Sequence, residues 1–198
     1  MLSGVFSATK HLSFSPKTLR SAQNDKRKVI MNIKNIHLMY EYNYWANGRI
    51  LSAAKNITPE QLLAPAEFPY GNLRATLVHI IDAEYGWRGL FEENKFGEDI
   101  KPEEFADIPS IAERFHMEEQ AMRAYLNGLT DEDMESHKKY TAENGEARDR
   151  ILWHCLYHVV NHGSQHRSEA AAMLTSFNAS PGNLDFTVFL NDFGKIEP

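Results

Sequence analysis

The sequence predicts an all-α protein, and two observations support this prediction. Apolar residues recur every three or four positions through four long segments, which is the period of an amphipathic helix. Residues that favour helix starts and helix ends stand between these segments. The chain has 198 residues, of which 42% are hydrophobic, enough to build a buried core. We therefore expect one helical domain, with or without a tail.

Residues 1–30 differ in composition from the segments that follow. Residues 1–24 include no acidic residue but contain Lys10, Lys17 and Arg20 among several Ser and Thr, as transit peptides do. Their apolar residues are too scattered for a secretory signal. Because Met31 directly precedes the first periodic helix, we interpret residues 1–30 as a disordered leader from an over-extended reading frame. A targeting peptide is the alternative, and residues 31–198 form the predicted domain.

The sequence of the first half of the domain predicts two long helices with a short helix between them. The first covers residues 33–55, and the second runs from a cap at Asn72 to about Glu93. Between them, Thr58 is suited to cap a short helix that has Pro59 at its first position. Residues 65–70 are predicted to form a loop.

The second half predicts two more long helices and a small hairpin. A third helix begins at Pro109 and ends near residue 127, before Gly128. The pair Asn144-Gly145 is typical of a β-hairpin turn and predicts a short hairpin between residues 136 and 148. The last long helix covers about residues 148–176, and Pro181 prevents any continuation.

Composition argues against several classes of partner. The net charge is −6, and the sequence has no basic stripe or nucleic-acid motif, so we expect no nucleic-acid partner. No apolar run approaches the ~20 residues that a membrane-spanning helix requires, so we expect no membrane partner. The single Cys155 excludes an internal disulfide framework and favours a cytoplasmic location.

Four of the nine histidines recur every fourth residue in the last helix: His154, His158, His162 and His166. Each four-residue step returns to the same helix face with a drift of roughly 40°, so neighbours can share one ligand but all four cannot. Imidazole nitrogens at this spacing suit a divalent metal such as Zn²⁺ or Ni²⁺. The best third ligand is His79, which lies beside the apolar stripe of the second long helix. The alternative for each histidine is an ordinary hydrogen-bonded residue.

The order of motifs resembles the DinB superfamily over about residues 33–192. It comprises the following stretches: Tyr44-Trp45-Ala46-Asn47, residues 78–84, Asn161-His162 followed by His166-Arg167, and residues 181–186. The resemblance implies a four-helix bundle, usually a homodimer, that holds a divalent metal ion through three histidines. Matched position by position, the implied metal ligands are His79, His162 and His166.

The chain departs from the family pattern at Glu169, because many members carry glutamine at this position. Glu169 could support a metal-bound histidine, act as a fourth ligand or simply face solvent, and we favour the last interpretation. His158 could pair with His162, but the family register favours His166, so we assign His158 a packing or supporting role.

For the other polar and aromatic residues near these motifs, we favour structural roles over catalytic ones. Asp82 could orient His79 or act as a base, but a solvated helix face is the favoured interpretation for both Asp82 and Glu84. Cys155 is predicted to be a small buried residue. Trp45 and Asn47 are expected to be structural or to lie at the edge of a pocket.

Three protein nitrogens would leave a coordination position open for substrate. The resemblance implies a metal-dependent thiol transferase or detoxification enzyme, whose partners are a small thiol and an electrophilic substrate. A metal-dependent hydrolase and a noncatalytic metal-binding stress-response scaffold are the alternatives. No catalytic residue beyond the three histidines is predicted.

Overall fold

The structure, a computed structural model, describes residues 31–142 and 144–193, so the interpretation of residues 1–30 lies outside it. The described chain forms, in order, the following elements: α1 Ile33–Ala54, α2 Pro59–Leu63, α3 Leu73–Glu93, α4 Ile108–Asn127, β1 His137–Thr141, β2 Ala147–Ile151, α5 Leu152–Ser176 and α6 Phe186–Phe193. Two single-turn 3₁₀ helices, Pro102–Glu104 and Asp133–Glu135, lie in the connections.

The four long helices pack as the predicted bundle. Helix α5 lies against α1 and α3, and α4 closes the other side against the same two helices. Their apolar faces form two clusters of buried side chains, one around Leu77, Ile81 and Leu174 and the other around Tyr40, Met122 and Leu156. Within the described part of the chain, no helix is both long and apolar enough to cross a membrane.

The polar residues predicted to cap helices do so. Asn72 accepts a hydrogen bond from the backbone N–H of Ala75 at the start of α3. Thr58 and Gln61 form a reciprocal capping box at the start of α2. Helix α4 begins one residue earlier than predicted, because Asp107 accepts a hydrogen bond from the backbone N–H of Ser110.

The predicted β-hairpin is present, and it shortens the last long helix. Strand β1 pairs with β2 in antiparallel register, and the turn places Gly145 at a φ of +80°, which favours glycine. Because β2 extends to Ile151, α5 begins at Leu152 rather than near residue 148. The Lys138 ammonium donates to the carbonyl of Phe91 and so ties the hairpin to the end of α3.

Helix α6 was not predicted from the sequence. Pro181 indeed follows the end of α5, but residues 186–193 form a further helix that packs against α1. The ring of Tyr42 contacts the rings of Phe186 and Phe189, and its hydroxyl donates to the carbonyl of Leu184. An eight-residue segment is too short for helical periodicity to distinguish it from a loop.

Candidate metal centre

The three histidines predicted as ligands lie together where α3 packs against α5. His79 comes from α3, and His162 and His166 come from successive turns of α5. One ring nitrogen from each lies within 4.8 Å of the other two. The pairing of α3 with α5 therefore supplies the third imidazole that the pair on one helix lacks.

The spacing of these nitrogens suits one metal ion. The Nε2 atoms of His79 and His162 are 3.1 Å apart. Two nitrogens bound to a tetrahedral zinc ion at ~2.05 Å would be separated by roughly 3.3 Å, so this pair is already close to the required distance. His166 meets both rings edge-on, with centroids 4.7 Å from His79 and 4.5 Å from His162.

The environment keeps two of these imidazoles neutral, as a metal site needs. Burial lowers the pKa of His79 to about 4, and the neighbouring His166 acts in the same direction. Burial likewise lowers the pKa of His162 to about 3, with further contributions from His166 and His79. Both rings therefore offer a nitrogen lone pair at neutral pH.

Glu169 supports His166, so the interpretation of Glu169 as a solvated residue was wrong. Its Oε2 atom lies 2.9 Å from His166 Nδ1, and the Glu169 side chain is only 14% exposed. With Nδ1 held by the carboxylate, Nε2 is the nitrogen that remains for a metal. A carboxylate in this position fixes the orientation of the ring and increases its basicity as a ligand.

Tyr70 belongs to the site and was not predicted. Its hydroxyl lies 2.6 Å from His79 Nε2, and its ring stacks on the His79 ring at a centroid distance of 3.9 Å. Tyr70 lies in the loop before α3, where no periodic pattern could indicate which way a side chain points.

The other histidines of the series do not join the cluster. His154 is exposed and packs its ring against Trp153. His158 lies one turn before His162 and contacts the ring of Trp87 at 5.2 Å, which agrees with the packing role expected for it. Cys155 is buried as predicted, and burial raises the pKa of its thiol to about 11.

Asp82 and Glu84 both differ from the solvated face assigned to them. Asp82 is half-buried and does not orient His79; it accepts a hydrogen bond from the backbone N–H of Ile100 at 2.7 Å. Glu84 is only 4% exposed and accepts hydrogen bonds from Asn43 and from the Tyr44 hydroxyl. Burial raises the pKa of Glu84 to about 7.

The Glu84 carboxylate belongs to a buried polar network behind the histidines. Asn43, which donates to Glu84, also accepts from the Arg167 guanidinium. Arg167 is 2% exposed and donates further to Asn47 and Ser164. Asn47 is therefore structural, as expected.

A cavity of about 730 Å³ opens beside the histidines. His79 and His162 lie in its wall together with residues of α3, the loop after α3 and the β-hairpin, among them Trp87, Phe96, Tyr140 and Arg148. This volume is in the range of natural small-molecule sites and leaves room for two small reactants.

Comparison with known proteins agrees with the fold and with the resemblance in sequence. Protein DinB of Bacillus subtilis (strain 168) is 24% identical over 158 residues, which cover 77% of this chain and 91% of that protein. The uncharacterized protein YizA of the same organism is 28% identical over 137 residues, which cover 64% of this chain and 80% of YizA.

A solved DinB-like protein from Bacillus cereus ATCC 10987 has the same fold, with a TM-score of 0.57 at 17% identity. The match covers 76% of this chain and 95% of that one. The model of the DinB family matches residues 31–192, which include the whole bundle and all but the last residue of α6. The chain therefore belongs to the DinB family.

Proposed function

We propose that this protein is a metal-dependent thiol transferase or detoxification enzyme that joins a small thiol to a small electrophile. The observation that carries the proposal is the position of His79 and His162, which belong both to a three-nitrogen cluster and to the wall of an open cavity of about 730 Å³. A closed structural zinc site would have four protein ligands and no open coordination position. A bound Zn²⁺ or Ni²⁺ would lower the pKa of a thiol and hold the thiolate.

The residues of the chain would position the metal and the thiol. Glu169 holds the His166 ring through Nδ1, and the Tyr70 ring covers one face of His79. Thr141, Asn144 and Arg148 of the hairpin region provide polar groups in the cavity wall. Such groups suit the amides of a peptide-like thiol. The thiol proton would pass to solvent in the open cavity.

Purification without an affinity tag, elemental analysis and a thiol panel would test the proposal. The thiols are glutathione, bacillithiol and mycothiol, with 1-chloro-2,4-dinitrobenzene and iodoacetamide as electrophiles. We expect about one equivalent of Zn or Ni and faster turnover with one thiol, both lost in His79→Ala and both kept in the control His154→Ala.

Two other outcomes would overturn the proposal in different ways. Hydrolysis of p-nitrophenyl acetate that needs the metal but no thiol would indicate the hydrolase. Bound metal without either activity would indicate the noncatalytic scaffold. Sedimentation of the same preparation tests the homodimer that we propose from the family resemblance.

A further inference from the structure

We propose that three aromatic side chains in the cavity, Trp87, Phe96 and Tyr140, form the subsite for the electrophile and select a planar aromatic molecule without a negative charge. We call this set the aromatic wall. The inference rests on the proposed function, because it concerns the second substrate of the same site. Three features support the subsite: the packing of the three rings, the way the rings are anchored and the charges around them.

The three rings form one continuous apolar surface. Phe96 and Tyr140 each meet Trp87 edge to face, with centroids 5.5 and 5.3 Å away, and they meet each other at 5.7 Å. All three line the same cavity as His79 and His162. Aromatic side chains packed edge to face favour further aromatic contacts through their remaining ring surface.

The aromatic wall adjoins the candidate metal centre. The His158 ring contacts both Trp87, at a centroid distance of 5.2 Å, and His162, at 5.8 Å, and so connects the aromatic wall to the histidine cluster. A molecule resting on the aromatic wall would share one cavity with the histidines that would hold the metal. Holding two reactants in one cavity favours the reaction between them.

Phe96 is 38% exposed, yet the loop that carries it is held firmly in place. The Asp82 carboxylate accepts the backbone N–H of Ile100 near the end of this loop. At the other end the loop lies directly on α3: a Cβ atom on Gly89 would come within 2.9 Å of the carbonyl oxygen of Lys95. The exposed ring is therefore presented by a preorganised loop, as a binding site needs.

Tyr140 is anchored separately. It lies on β1, which Lys138 ties to the carbonyl of Phe91 at the end of α3. The three rings thus come from a helix, a loop and a strand that are attached to one another. Ring surface kept open to solvent at such a junction is typical of a small-molecule site.

The charges in the cavity wall disfavour an anionic molecule on the aromatic wall. Asp82 and Asp99 both line the cavity. The Arg148 guanidinium lines it as well, but it forms an ion pair with Glu146. An anionic electrophile would therefore meet two carboxylates and one cation that is already paired.

The test compares an aromatic with an aliphatic electrophile in wild type and in Phe96→Ala. With 1-chloro-2,4-dinitrobenzene the C–S bond forms, the C–Cl bond breaks, chloride leaves with the bonding pair and the thiol proton passes to solvent. We expect Phe96→Ala to lower kcat/KM for this substrate about tenfold more than kcat/KM for iodoacetamide. Phe96→Leu, which keeps apolar bulk but loses the ring, should have a similar effect. The matched control is Tyr157→Ala, because Tyr157 is a similarly exposed aromatic, at 44% against 38% for Phe96, that does not line the cavity.

A binding measurement separates failure of this inference from failure of the proposed function. We expect calorimetry to show that unreactive 1,3-dinitrobenzene binds the wild type about tenfold more tightly than Phe96→Ala, and that Tyr157→Ala matches the wild type. Such binding without any thiol transfer would support the aromatic subsite and refute the proposed function. Thiol transfer with an unchanged preference for the aromatic substrate in Phe96→Ala would refute the subsite and leave the proposed function standing.

Discussion

Replacing Glu84 with glutamine should remove a pH-dependent loss of stability. Burial, aided by the nearby Glu118, raises the pKa of Glu84 from 4.5 to about 7, although hydrogen bonds from Tyr44 and Asn43 and the charge of Arg167 act in the opposite direction. Between pH 4.5 and 7 the unfolded chain has released this proton while the folded chain still holds it. The contribution of Glu84 to the free energy of unfolding therefore falls as the pH rises through this window.

The size of the effect follows from the shift in pKa. A shift from 4.5 to about 7 corresponds to a loss of about 3 kcal/mol across the window. The buried histidines act with the opposite sign, because the lowered pKa values of His79 and His162 make stability rise with pH between the folded and the unfolded values. Only the difference between wild type and variant isolates Glu84.

Urea unfolding from pH 4.5 to 8 in the presence of a chelator measures this difference. We expect the stability of wild type relative to Glu84→Gln to fall by about 3 kcal/mol between pH 4.5 and 7 and then to level off. Glu113→Gln, at an exposed position, is the control for replacing a carboxyl by an amide. If the difference between wild type and Glu84→Gln were independent of pH, the buried carboxyl would not titrate as described.

Three further predictions concern the metal centre and the loop beside it. Alanine at any one of the three clustered histidines should remove most of the bound metal, whereas His154→Ala should not, as measured by elemental analysis. Equal loss of metal in His154→Ala would contradict the assignment of His79, His162 and His166. Glu169→Gln should keep the fold and weaken zinc affinity about tenfold in a competition titration, and unchanged affinity would mean that its contact with His166 has no effect on binding. Gly89→Ala should lower the free energy of unfolding by about 1–3 kcal/mol despite the better helix propensity of alanine, because the new Cβ would meet backbone atoms. A Cβ atom on Gly48 would meet nothing within 4 Å, so the control Gly48→Ala should raise the free energy of unfolding by up to about 1 kcal/mol. Stabilisation by both substitutions would refute the close approach at Gly89.

The parts of the fold that the sequence predicted depend on local interactions. Asn72, Thr58 and the pair Asn144-Gly145 act within three residues of themselves, and the structure confirms the two caps and the hairpin turn. The spacing of His162 and His166 is likewise a property of one helix. The apolar stripe beside His79 made it the best candidate for the third ligand, and the family resemblance implied the same residue. The packing of α3 on α5 that brings it to the pair is not encoded in either helix alone.

The predictions that failed concern what covers a helix face. Glu84 lies roughly 140° from His79 around α3 and so stands outside the ligand cluster. A solvated face was the favoured interpretation for it, but in the bundle that side of α3 meets Asn43 and Tyr44 of α1. Tyr70 and Phe96 lie in loops, where the direction of a side chain depends on the whole tertiary structure.

The buried polar network explains why residues that are not themselves in the histidine cluster are needed to form the centre. Arg167 follows His166 and points about 100° away around α5. It bonds to Asn43 of α1, and Asn43 in turn bonds to Glu84 of α3. The network therefore joins α1 to the two helices that carry the histidines.

A charge buried in this way imposes one register on the helices. Sliding or rotating α5 against α1 would take the buried Arg167 guanidinium away from Asn43 and Asn47, its partners on α1. A buried donor left without its hydrogen-bond partner costs about 1–3 kcal/mol, and more when the group is charged. Apolar contacts alone would tolerate a small rotation, but three imidazole nitrogens within 4.8 Å of one another would not. The Arg167 network lies behind the histidines, and it thus fixes the orientation of the helices on which the metal centre depends.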